Sequence, residues 1–159
     1  PNTSSAASDV YKRQEAPNLV NLLSNDKILK LFHFGRFDIA ILFSTFGVIT
    51  SPVYCTKIAS KIARTYTDRH GLKNLLSEIL DVDISKQQQS SDWGAKHLSK
   101  AQIEYAATDV LYLHALREKL NEMLTRENRS ELANECFKFL PSRAVLDIKG
   151  WNDIDIFEH

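Results

Sequence analysis

Apolar residues recur three and four apart through Ser99–Asn128 (SKAQIEYAATDVLYLHALREKLNEMLTREN), at Ile103, Ala106, Val110, Leu113, Leu116, Leu120 and Leu124. That period predicts one long helix with an apolar face. Ser99 with Gln102 three residues on forms a capping-box signature, so the helix is expected to start there. Upstream, PNLVNLLS (17–24) predicts a short helix with Pro17 in its first turn and Leu19, Val20, Leu22 and Leu23 turned inward. KLFHF (30–34) is a compact apolar run that reads as a buried strand, broken by Gly35. FDIAILFST (37–45) predicts a helix, Val53–Cys55 a short strand, TKIASKIARTY (56–66) a helix and LKNLLSEIL (72–80) another. Ser130–Phe139 reads as a final helix ended by Pro141, followed by a frayed or docking tail from Gly150.

Composition narrows the class without naming it. The 159 residues suit one domain or a piece of one. Twenty basic and twenty acidic residues cancel, so any polyanion site must come from local clustering. The longest apolar run, Ile39–Phe43, is far too short to span a membrane, and no secretory leader is visible. Cys55 and Cys136 form neither a metal-like nor a redox pair, which suits reduced thiols in a cytoplasm. Residues 1–14 (PNTSSAASDVYKRQ) lack any period and read as a disordered or non-native tail. The folded part is expected over 15–159.

Two acids stand out from their surroundings. Tyr105 and Asp109 lie four apart and therefore share one helix face. Asp38 begins a helix and is followed at once by five apolar residues. A favourable interaction with the helix dipole is the ordinary structural explanation for an acid there. The strand–Gly–helix junction also puts it at the carboxyl end of a strand, where sites in α/β sheets tend to lie. Between Lys57 and Lys73 five basic residues face one acid, either a solvated flank or a phosphate-facing edge, with Lys57, Lys61 and Arg64 on one side. Trp93 is either a core plug or a stacking platform for a base.

KLFHFGRFD (30–38), GLKNLL (71–76), SSDW (90–93) and YAATD (105–109), in that order, resemble ribonuclease D of the DEDD superfamily of 3′–5′ exonucleases. The resemblance runs from about Ala16 to His159 and is nearest the short bacterial type without an appended nucleic-acid-binding domain. It implies an α/β, ribonuclease H-like fold with antiparallel and parallel strands and helices on both faces. It also implies four carboxylates holding two divalent metals, Mg²⁺ or Mn²⁺. Asp38 matches the third carboxylate and Asp109 the fourth, while Tyr105 matches the tyrosine that orients the attacking water. Glu104 stands where a sister branch carries His, so the tyrosine branch fits better. The chemistry suits these residue types: hard oxygen ligands hold Mg²⁺, and two metals can activate water and steady a leaving oxygen. His33, Arg36, Lys57, Lys61 and Trp93 are the candidate nucleic-acid contacts.

The sequence departs from that pattern ahead of Lys30, where no Asp-x-Glu occurs. The family's first strands are expected to be missing, leaving a helix-rich remainder with two carboxylates of four. An isolated chain of this kind is expected to be inactive or nearly so, with an uncovered sheet edge and apolar face that favour association. A smaller departure is Phe34, where many relatives carry Asn. The expected function is a cytoplasmic 3′–5′ exoribonuclease acting on unpaired RNA 3′ ends, tRNA-like precursors among them, with no membrane and no obligate protein partner. A non-catalytic RNA-binding or scaffold module on the same fold is the alternative, and a DNA-directed relative a third.

Overall fold

A computed structural model describes residues 16–84, 92, 94 and 96–159; the side chains of residues 105, 108 and 109 fall outside that description. The tail at 1–14 and Trp93 likewise lie outside it. The chain divides into two units, one joining the chain up to Cys55 with Glu131–His159, the other Thr56–Ser130.

The first unit is built on a strand–helix–strand element. Helix α1 (Pro17–Ser24) leads into strand β1 (Lys30–Phe32), helix α2 (Gly35–Phe46) and strand β2 (Val53–Cys55). The two strands pair in parallel, with Lys30 opposite Val53, Leu31 opposite Tyr54 and Phe32 opposite Cys55. A parallel pair needs a crossover, and α2 supplies it. Only Leu23 of α1 is buried, while Leu19 and Leu22 stay partly in solvent. Contact is made at the helix's last turn, where the Ser51 N–H donates to the Leu23 carbonyl at 3.2 Å. Strand β1 is shorter than its apolar run and α2 begins earlier than expected, at Gly35. A glycine suits that crowded position: a Cβ would meet Phe32 Cβ at 3.0 Å. Its N–H donates to Cys55 Sγ at 3.3 Å.

Helix α6 (Ser130–Leu146) returns to this unit, and Pro141 does not end it. Phe137, Leu140, Pro141 and Ala144 form one buried face at helical spacing. Their burial outweighs the roughly 3 kcal/mol cost of an interior proline. Tyr54 of β2 packs on Phe137, ring centroids 4.5 Å apart. Beyond α6 the chain widens into a π-type turn at Asp147–Trp151, where Gly150 takes φ 108°. The tail docks at this turn: Arg143 donates to the Trp151 and Ile154 carbonyls, and Phe157 meets Phe139 with centroids 5.6 Å apart.

The second unit packs helices α3 (Thr56–Ala63) and α4 (Leu72–Leu80) against the long helix α5 (Lys100–Arg126). The capping box forms as expected: Gln102 N–H donates to Ser99 Oγ at 3.1 Å, and Ser99 N–H to Gln102 Oε1 at 2.8 Å. Leu116, Leu120 and Leu124 are buried, but Ile103, Ala106 and Val110 are exposed, so the predicted apolar stripe is only half realised. Helix α3 ends at Ala63, three residues short of the predicted end, and Arg64 does not join Lys57 and Lys61 on one flank. Its guanidinium is 3% exposed and tied to Glu78, the Ser60 hydroxyl and the Arg69 carbonyl. A buried guanidinium needs these partners, and they pull it inward. No helix among the described residues is long and apolar enough to cross a membrane.

Candidate active site

The junction between β1 and α2 assembles the first candidate group. The strand stops at Phe32, and the chain turns through His33 and Phe34 into the helix. Phe34 is the N-cap with φ 58° and ψ 46°, a left-handed conformation uncommon outside glycine. Its carbonyl accepts from the Phe37 N–H at 3.1 Å. Asp38 follows in the first turn. Its side chain is half-buried, next to Ile39 at 0% exposure and Ala40 at 8%. Burial pushes its carboxyl above the usual carboxylate range.

Arg36, two residues away, is directed elsewhere. Its Nε and Nη2 donate to Asp147 at 2.6 and 2.7 Å, and Nη2 also reaches the Asn152 carbonyl at 3.1 Å. The bidentate hydrogen bonds hold the Asp147 carboxyl below, and the Arg36 guanidinium above, their usual ranges. His33 is partly buried in the loop before α2.

The second unit carries the other candidates. Lys57 is partly buried and Lys61 exposed, one turn apart on α3. Tyr105 and Asp109 fall within α5, one turn apart, and their side chains are outside the described residues. The structure thus places His33 and Asp38 on either side of the start of α2, with the Arg36 side chain turned to Asp147, and sets Tyr105 and Asp109 on one helix. Among the described residues no three His, Cys, Asp or Glu side chains cluster as a metal site.

Two features escaped the sequence. Phe34 and Phe37 stack with centroids 6.0 Å apart and ring planes 5° from parallel; their three-residue spacing was the available signal. The buried Ser60–His70 hydrogen bond, 2.8 Å, left only the four-residue spacing of Ser60 and Arg64 to be read.

A parallel strand pair joined by a helix, with an acid at the carboxyl end of the first strand, fits the ribonuclease H-like class of α/β nuclease. The chain belongs to the 3′–5′ exonuclease family, whose model matches residues 2–125. It is 39% identical over 114 residues to a ribonuclease D of Acidiphilium cryptum, an alignment covering 72% of this chain and 29% of that protein. Among solved structures it is similar to a nuclease in its apo form, at 65% identity and a TM-score of 0.87, over 91% of this chain and 70% of that one. Brucella melitensis NrnC with bound Mg²⁺ matches at 60% identity and a TM-score of 0.85, with the same coverage. NrnC bound to pGG matches at 61%. The chain therefore spans less than a third of that ribonuclease D and 70% of these nuclease chains.

Proposed function

We propose that this chain contributes Asp38, Tyr105 and Asp109 to the site of a metal-dependent 3′–5′ exoribonuclease, within a partial exonuclease domain over 15–159. The observation that carries the reading is Asp38: a half-buried carboxylate in an apolar setting, in the first turn of the helix that follows the first strand. A carboxylate held this way fits a hard divalent cation, because metal coordination offsets the desolvation that burial imposes. Asp38 and Asp109 would hold the metal, and the Mg²⁺ bound by NrnC makes that ion the first choice.

When bound, divalent metal supplies activation of water and stabilisation of the leaving sugar oxygen. The chain's own residues do the rest. Tyr105 orients the water by hydrogen bonding; a phenol with an ordinary pKa near 10 is too weak a base at neutral pH to remove the proton alone. Lys57 and Lys61 offer charge to the RNA backbone, which carries no sequence preference. The substrate in this reading is an unpaired RNA 3′ end, as the ribonuclease D relative and the pGG-bound neighbour suggest.

Mn²⁺ affinity tests the ligand assignment. Asp38→Asn and Asp109→Asn should each weaken binding by at least about tenfold; unchanged affinity in both would sink it. Because the sequence holds two of the four carboxylates, RNA hydrolysis is expected only when a peptide carrying Asp-x-Glu is added. No hydrolysis at matched Mn²⁺ with that peptide counts against the reading.

The pH dependence of stability gives a second check. Burial raises the Asp38 carboxyl pKa in the folded state, so the folded chain binds that proton more tightly than the unfolded one. Ionised Asp38 therefore opposes folding at neutral pH, and the penalty lifts as pH falls through the raised folded value. Asp38→Asn should raise the melting temperature at pH 7 and lose that advantage below about pH 3.9, the unfolded carboxylate pKa. Mg²⁺ should stabilise the original chain and not the variant.

A further inference from the structure

Helix α2 carries Asp38 in a first turn that its own sequence does little to hold. The helix opens on Gly35, a weak helix former, and no side chain caps it. Its body is anchored by Ile39 and Ala40, which are buried. Support for the first turn comes from the far end of the chain. Arg36 donates through Nε and Nη2 to the two oxygens of Asp147 at 2.6 and 2.7 Å. Helix α6, which leads to Asp147, lies directly behind this point: a Cβ at Gly35 would stand 3.5 Å from Leu140 Cδ2.

Asp147 is itself firmly held. It opens the π-type turn that follows α6. Arg143, four residues earlier, donates to the same carboxylate at 3.2 Å, and the Arg143 and Asp147 side chains are only 15% and 16% exposed. The two guanidinium groups also fasten the chain beyond: Arg36 donates to the Asn152 carbonyl at 3.1 Å, and Arg143 to the Trp151 and Ile154 carbonyls. A lone exposed ion pair contributes little, whereas a carboxylate gripped by a guanidinium fork and shared with a second arginine keeps a fixed geometry.

We propose that Asp147, through its grip on Arg36, is a positioning residue for Asp38. The proposal rests on the exonuclease reading above and names what sets one of its metal ligands in place. Three features favour positioning over general stabilisation of the surface. Arg36 and Asp38 are two residues apart in the same helical turn, so a shift at one is passed to the other through a short length of backbone. At about 100° per residue their side chains leave the helix about 200° apart, so the grip is made on the side away from the carboxylate. And the planar fork fixes orientation as well as distance, which a metal ligand held to within about 0.5 Å requires.

The test is the Mn²⁺ affinity of the 159-residue chain, read by electron paramagnetic resonance below the melting range of each variant. Asp147→Ala should weaken binding by about tenfold or more, the scale on which groups supporting a metal ligand act. Arg36→Lys keeps the charge but loses the fork, and should weaken binding in the same direction. Because the effect runs through Asp38, it should vanish in an Asp38→Asn background, where the double variant binds no more weakly than Asp38→Asn alone. An equal loss in both backgrounds overturns the proposal, since that is the signature of a merely structural role. Unchanged affinity in Asp147→Ala and Arg36→Lys overturns it too, and leaves the exonuclease reading standing. If Asp147→Ala does not fold, Arg36→Lys decides by the same cycle. Glu135→Gln removes the same charge from an exposed ion pair with Lys138 on α6 and should leave affinity unchanged; a matching loss there would make the effect one of net charge, and the positioning role would fall. If Asp38→Asn alone leaves Mn²⁺ binding unchanged, the ligand assignment fails first and the positioning role with it.

Discussion

The two halves of α5 obey the same sequence rules and meet opposite fates. Toward the C-terminal end, Leu116, Leu120 and Leu124 are at most 2% exposed. Toward the N-terminal end, Ile103 is 57%, Val110 63% and Leu111 71% exposed. Geometry accounts for the difference. At about 100° per residue, Val110 lies about 80° around the helix from Leu120, Ile103 about 100°, and Leu111 on the opposite side. Spacings of three and four looked like one stripe, but their accumulated drift carries the early members off the leucine line. Length adds to it. Helix α5 is about 40 Å long, whereas its partners α3 and α4 are about 12 and 13 Å, so they cover only part of it. Positions 105, 109 and 113 are the ones that continue the Leu116–Leu120–Leu124 line. Tyrosine and aspartate therefore stand where a purely structural helix would place further leucines.

The largest effect that probes this contrast is Leu120→Ala. Leu120 is fully buried, and truncation should cost about 2–5 kcal/mol, transfer and cavity terms together. Leu111→Ala should change stability by no more than about 0.5 kcal/mol. Urea unfolding of both variants decides it. Comparable losses would mean that the exposed half is covered in solution, and the division of α5 would fall.

What the sequence disclosed follows the same divide between local and distant causes. The capping box was legible because Ser99 and Gln102 act on each other across three residues. The Asp38 junction was legible because a strand, a glycine and a helix follow one another within nine residues, and the ordered motifs named the family. Pro141 misled because its cost is local while the burial that outweighs it involves residues far along the chain. Arg64 misled for the same reason: Glu78, fourteen residues on, turns a surface-looking cation inward. The left-handed Phe34 was not legible, since such positions are read from glycine and the glycine here stands one residue later, at 35.

Ser99→Ala sharpens the comparison at the next scale. Ile103, Val110 and Leu111 are exposed, so the start of α5 leans on its cap. Removing the Ser99 hydroxyl deletes the acceptor for the Gln102 N–H and should cost about 1 kcal/mol. Hydrogen exchange should localise the loss to the first turns, with the amides around Leu120 slowed as before. A loss spread evenly along the helix would show that its two halves are one cooperative unit.

Leu111→Lys is the smallest change and tests the exposed side by itself. Ile103, Ala107, Val110 and Leu111 follow the spacing of an apolar helix face, and all four are exposed. A lysine at 111 meets no buried surface, keeps a good helix former in place and adds charge to the apolar strip. Folding stability should therefore stay within about 0.5 kcal/mol. Exposed apolar strips drive association in proportion to the area they withdraw from water, so the variant should sediment as a smaller species than the original at equal concentration. A lysine that lowers stability by 2 kcal/mol or more would place Leu111 in a covered environment, and the leucine line would not be the only packed face of α5. Unchanged sedimentation with unchanged stability would put the associating surface elsewhere on the chain.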